Sequence, residues 1–141
     1  MLLVIGLAVI LIALVGVVVD ASRLFLYRRA LATAADGAVT AAVQAVDEAA
    51  IYRDPNAFTG GGLPIDPSAA GSAVDLYVQD NDLSGRFDAF RVESVDVTGG
   101  GTTVRVIFSA RVRLPFAGLL PLRSVNEPRT VVAATARAPI E

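Results

Sequence analysis

Residues 1–19, MLLVIGLAVILIALVGVVV, hold no polar or charged side chain, and the chain then changes character at Asp20. As a helix this run would reach ~28 Å at 1.5 Å per residue, close to the ~30 Å hydrocarbon core of a bilayer. Residues 1–19 are therefore predicted to be a transmembrane helix. A signal peptide would end its apolar run sooner, at a small-x-small cleavage site. Here the run passes directly into VVDASRLFLYRRAL, which keeps helical character.

From Asp20 the apolar positions recur at helical spacing. Leu24, Tyr27, Leu31, Ala34, Ala38, Ala41, Ala45 and Ala49 share one stripe, and Arg29, Thr33, Asp36, Thr40, Gln44 and Asp47 share the other. The pattern predicts an amphipathic stalk over residues 20–52, continuous with the span. Its packing face, Leu24, Leu31, Ala34, Ala38, Ala41 and Ala45, is dominated by small residues that allow helices to approach closely.

Residues 53–66 read as a loop, rich in Gly, Pro, Asn and Asp. Asp66-Pro67 then opens a short helix to about Gln79, with Ala70, Ala73, Val74 and Tyr77 inward. Period-two patterning follows. Phe90 to Thr98 reads as a strand with a bulge near Glu93-Ser94. Thr103 to Leu114 reads as a second, with Val104, Val106, Phe108, Ala110, Val112 and Leu114 on one face. Gly99-Gly100-Gly101 joins the two as a hairpin, and Arg129 to Ala138 supplies a third strand. The predicted fold is α+β, with residues 67–141 forming one small domain whose three- or four-stranded antiparallel sheet packs on the helical stalk.

Composition removes several chemistries. The chain has no Cys and no His, which excludes disulfides, thiolate or imidazole metal sites, Cys nucleophiles and His-based triads. All twelve basic residues are Arg, scattered among fourteen acidic ones, so no basic face or tail points to nucleic acid. No nucleophile motif, Walker loop or dinucleotide fingerprint is present, and the expectation is a protein without catalytic residues.

Two polar clusters stand out. Asp20, Arg23, Arg28 and Asp36 lie at or just beyond the membrane boundary. Asp20 either caps the span, paired with Arg23 at i+3, or meets the charge of a partner. In DNDLSGRFD, residues 80–88, Asp80, Asp82, Ser84 and Asp88 stand at positions 1, 3, 5 and 9 of a calcium-loop spacing, with Gly85 at 6. Arg91 occupies position 12, where a bidentate Glu belongs, and the competing reading is a polar turn with no cofactor. Phe116, Leu119, Leu120 and Leu122 lie in a Pro-punctuated loop, residues 114–128. That loop either plugs the end of the sheet or offers an apolar patch to a partner or the bilayer surface.

The run VVVDASRLFLYRRALATAADGAVTAAV resembles the N-terminal signature of TadE/TadG-like proteins of tight-adherence (Flp) pilus systems. Asp20, Arg23, Leu31, Asp36 and Ala38 fall on matching positions; Gly37 departs, since alanine stands there in the family. The resemblance implies a structural protein of the bacterial cell envelope, a pilin-like subunit or a pilus assembly factor. It would sit in the cell membrane with an exported C-terminal domain, or in an extracellular pilus. Its implied partners are the lipid bilayer and other pilus or envelope subunits, including further copies of itself. Position 5 is Ile, where a pilin proper carries Glu nearby, a departure from the major pilins. The rival reading is a monomeric membrane-anchored binding module, stabilised by calcium if the 80–88 loop is filled.

Orientation is contested within the sequence. Arg23, Arg28 and Arg29 follow the span, which by the positive-inside rule sets the domain in the cytoplasm. Removal of a basic leader by processing would restore the exported sense.

Overall fold

The computed structural model describes residues 1–47, 52, 63–116 and 128–138. Its spine is one helix, α1, Leu2–Val43, about 63 Å long at 1.5 Å per residue. A shorter helix α2 (Pro67–Asp80) and a single helical turn α3 (Leu83–Arg86) precede strands β1 (Asp88–Thr98), β2 (Thr103–Arg111) and β3 (Arg129–Arg137). The strands form an antiparallel sheet in the order β1-β2-β3. One face of the sheet lies against the C-terminal half of α1, which also packs along α2. The fold is α+β, as the sequence pattern predicts.

The two halves of α1 differ in what surrounds them. In the most apolar 18-residue stretch only 6% of positions are buried. A core helix of a soluble domain would be covered, whereas this half is long and apolar enough to cross a membrane and is left bare by its own domain. From Leu31 onward the same helix enters the core: Leu31, Ala35, Ala38 and Ala42 are fully buried, with Ala34 and Val39 close behind.

That burial relocates the small-residue stripe. Leu31, Ala34 and Ala38 are on the inner face as predicted, while Leu24 and Ala41 are half-buried at its margins. The stripe is filled by the protein's own sheet and α2, so these alanines pack within the molecule.

The stalk is also shorter than its periodicity suggests. Helix α1 stops at Val43, and Ala45 lies beyond it. The backbone of 45–47 finds partners elsewhere. Asp66 N–H donates to the Ala45 carbonyl at 3.1 Å and Asp47 N–H to the Pro64 carbonyl at 2.8 Å, around a Val46–Ile65 bridge. Once those groups are satisfied by the returning chain, continuing the helix gains nothing. Ala49, and the 53–62 part of the predicted loop, lie outside the described residues.

Helix α2 starts as its sequence dictates. Asp66 caps it, accepting from Ser68 N–H at 2.8 Å and Ala69 N–H at 3.3 Å, with proline at the first position. The Ser68 hydroxyl also donates to the cap, and these bonds hold the Asp66 carboxyl below the usual carboxylate range. Ala70 and Val74 are buried, and Tyr77 lies across α1.

The place where Tyr77 crosses explains Gly37. A Cβ at Gly37 would overlap the Tyr77 hydroxyl and sit 3.2 Å from Cε2. Gly37→Ala gains ~0.8–1.0 kcal/mol in helix propensity. Overpacking costs ~1–3 kcal/mol, and the substitution is expected to lower stability despite its better helix propensity. A denaturation series should show Gly37→Ala regaining stability when combined with Tyr77→Leu. A Gly37→Ala protein more stable than the parent would contradict this packing.

The hairpin between β1 and β2 is held by Gly99, Gly100 and Gly101 at φ of 62°, 71° and 88°, conformations that side chains disfavour. β1 has two register shifts, one between Val92 and Ser94, near the predicted bulge, and one between Asp88 and Arg91. At the second, Ala89 adopts φ 47°. On β2, Val104, Val106, Phe108 and Ala110 all face the core, and Val112, just past the strand, is buried as well.

Candidate assembly site at the membrane boundary

The boundary between span and domain is built from α1, the Asp88 end of β1, the segment after β2, and the start of β3. An aromatic chain joins helix to sheet. Tyr27 meets Phe87 edge-on at 5.2 Å between ring centroids, Phe87 lies 6.3 Å from Phe90, and Phe90 meets Phe108 edge-on at 5.0 Å. Such pairs prefer these tilted geometries. The Tyr27 hydroxyl accepts from Asp88 N–H at 3.0 Å, beside the strained Ala89. Desolvation raises the Tyr27 pKa, against the lowering effect of that amide. Tyr27 is thus the anchor that sets the height of the sheet along α1, a role its place in the stripe did not announce.

Asp20 lies at the end of the span, half-buried. Among the described residues it forms no ion pair with Arg23 or Arg28. Its Oδ1 accepts from Phe116 N–H at 3.4 Å, a long bond across 96 residues of sequence. The Phe116 ring lies on Gly16, where an added Cβ would stand 3.4 Å from the phenylalanine Cβ and Cγ. Gly16 is the one buried residue of the apolar run. The segment after β2 therefore reaches down the span by a full turn below Asp20. A notch of about 230 Å³ opens there, lined by Val9, Ile12, Ala13, Gly16, Val17, Asp20 and Phe116. Leu119, Leu120 and Leu122, from the same predicted loop, lie outside the described residues. Phe116 itself remains part-exposed, at 41%.

The other predicted residues are less closely joined. Arg23 and Arg28 line separate grooves on either side of α1, and Asp36 is exposed two turns further along. The 80–88 segment runs from the end of α2 through α3 to the start of β1. Residues 83–86 coil into α3, and the Asp88 carboxylate pairs with Arg113 on the neighbouring segment. Asp82 takes a left-handed φ of 46°, as polar turn residues do. Among the described residues no three acidic side chains gather as a metal site. Asp80, Asp82, Ser84 and Asp88 lie along the turn from α2 into the sheet.

On the open face of the sheet, Ser109 is fully buried although its strand position points outward. Its hydroxyl donates to Glu93, and Arg129 covers it, donating to Ser109 Oγ at 2.8 Å while pairing with Glu93. The Ser109 bond, followed by the charges of Arg129 and Arg91, holds the Glu93 carboxyl below its ordinary range. The period-two pattern marks Ser109 only as outward-facing; the cross-strand register that buries it becomes visible in the fold.

Comparison with known families bears on the same segment. Residues 1–45 match the family described as "Putative Flp pilus-assembly TadE/G-like". Over that segment the chain is similar to the TadE/G-like family. The matched stretch ends two residues past α1, so it takes in the span, Asp20 and all of the helix that packs on the sheet. Asp20, Arg23, Leu31, Asp36 and Ala38 all lie within the matched stretch. The TadE/G-like segment relates the chain to Tad pilus assembly and to the membrane. No curated protein and no solved structure matched the chain.

Proposed function

We propose that this chain is a structural subunit or assembly factor of a Tad/Flp-type pilus, anchored by α1 with its domain exported, and working without catalysis. The observation that supports this most is that the TadE/G-like segment includes a helix whose apolar half is left bare by its own domain. Intramolecular packing occupies the alanine stripe, so contacts with other subunits fall to residues before Leu31. In this reading the notch at Gly16, Asp20 and Phe116 receives an apolar helix of a neighbour. Asp20 then pairs with a positive group of that neighbour, fixing register where an isolated charge is costly.

The absence of cysteine allows a direct test. Ser72→Cys, on the exposed side of α2, gives a single thiol for an impermeant biotin-maleimide, followed by gold labelling and electron microscopy of intact cells. Gold along filaments or at their bases supports the proposal. Gold spread over the cell body, without pili, favours the monomeric binding module, and no label on intact cells or on spheroplasts opposes export. In the same background Asp20→Ala is expected to abolish the filament-associated label while circular dichroism stays unchanged. Unaltered labelling would end the charge-register mechanism.

A further inference from the structure

Arginines from distant parts of the sequence meet beside the span. Asp47 and Asp66 lie at the far end of the domain, where the chain returns past the end of α1. Arginines converge at the near end. Arg23, Arg86, Arg111 and Arg113 line one groove of about 580 Å³ between α1 and the α3–β1 turn, with Asp88, already paired to Arg113, as its acidic member. On the other side of α1, Arg28 and Arg129 line a second groove of about 500 Å³, together with Leu24, Phe25 and Val131.

The height of these grooves is fixed by the span. Arg23 stands four residues past Val19, or ~6 Å, and the polar headgroup layer is ~5–7 Å deep on each side of the hydrocarbon. Helical Cα–Cβ bonds tilt toward the N-terminus, so the side chains of Arg23 and Arg28 lean back toward the bilayer. Arg113 is three residues from Phe116, which touches Gly16 inside the apolar run. The exposed rings and alkyl groups of Phe25 and Leu26, 65% and 61% exposed, stand among the arginines. Apolar side chains interleaved with snorkelling cations suit a lipid interface better than open water.

We propose that this end of the domain is a docking collar for anionic phospholipid headgroups. A phosphodiester fits the groove between Arg23, Arg86 and Arg113, since guanidinium forks bind phosphate oxygens two at a time. The collar holds the sheet down on the bilayer and so sets the angle at which α1 leaves it. It depends on the span being in a membrane and is independent of whether the chain enters a filament.

The test uses the full chain in nanodiscs containing equal phosphatidylglycerol and phosphatidylcholine, released gently into the gas phase for native mass spectrometry. Retained phosphatidylglycerol should exceed phosphatidylcholine at least about fivefold, given the pull of several arginines on anionic lipid. Arg23→Gln with Arg86→Gln and Arg113→Gln should bring the ratio near one, whereas Arg105→Gln with Arg137→Gln, away from the collar, should leave it unchanged. Arg23→Gln alone, on an exposed helical position, is the fallback should the triple variant misfold, and should lower the ratio about twofold. Equal retention of both lipids by the parent, or a ratio indifferent to Arg23→Gln, overturns the proposal. Displacement of the lipid by millimolar inorganic phosphate also overturns it, assigning the groove to a free anion.

Discussion

Phe108→Ala is expected to destabilise the domain by about 3–5 kcal/mol, the range for removing a buried aromatic side chain. Among the described residues Phe108 is the largest side chain with no exposure; it lies on the central strand and ends the aromatic chain that runs from Tyr27 through Phe87 and Phe90. Its loss leaves a cavity under the sheet and removes the edge contact that orients Phe90. For a domain whose total stability is ~5–15 kcal/mol, this is a large share. The measurement is denaturation in detergent followed by near-ultraviolet circular dichroism of the tyrosines, because the span stays helical in micelles and obscures the far-ultraviolet signal. Val131→Ala, on the open face of the sheet and 54% exposed, is the control and should change stability by no more than ~0.5 kcal/mol. Matching midpoints for the two variants would mean that the helix and sheet do not share this core.

Ala38→Leu should be the second most damaging change. Leucine and alanine differ little as helix formers, so the effect isolates packing. Ala38 has no exposed surface and lies where α1 meets the rest of the core. Three added carbons force the helix off its bed at a cost of ~1–3 kcal/mol or more. Ala30→Leu, two turns earlier and exposed, should be neutral for stability. The pair decides what the alanine stripe does. If the stripe packs inside the molecule, Ala38→Leu lowers the denaturation midpoint of the isolated chain. If it packs only between subunits, the isolated chain tolerates the leucine and assembly alone suffers.

The contrast between these two alanines shows where sequence periodicity stops being informative. A stripe of small residues on a helix states that something approaches closely; it does not state what. The sequence pattern allowed both the sheet and another helix, and the structure sets the chain's own sheet and α2 against it. Gly37 behaves the same way. In the sequence it is a departure from alanine that weakens the helix, and in the fold it is the space that Tyr77 needs. Asp80, Asp82, Ser84 and Asp88 have the spacing of ion ligands, yet Arg113, 25 residues further on, takes the Asp88 carboxylate.

What the sequence determined by itself is local: the apolar run of residues 1–19, the cap at Asp66-Pro67, the glycine hairpin and the alternation along β2. Each follows from spacing, or from backbone preference within a few residues, and each is found in the fold. Tertiary structure decided the rest, because those outcomes depend on partners distant in sequence. Helix α1 ends at Val43 because 64–66 returns to bond with 45–47. Ser109 is buried because Glu93 and Arg129 close over it from both neighbouring strands. The arginines form a collar because the fold brings residues 23, 28, 86, 111, 113 and 129 to one end of a chain whose net charge is only −2. Electrostatics acts over distance in space, and only the fold converts scattered positions into a cationic surface at the membrane.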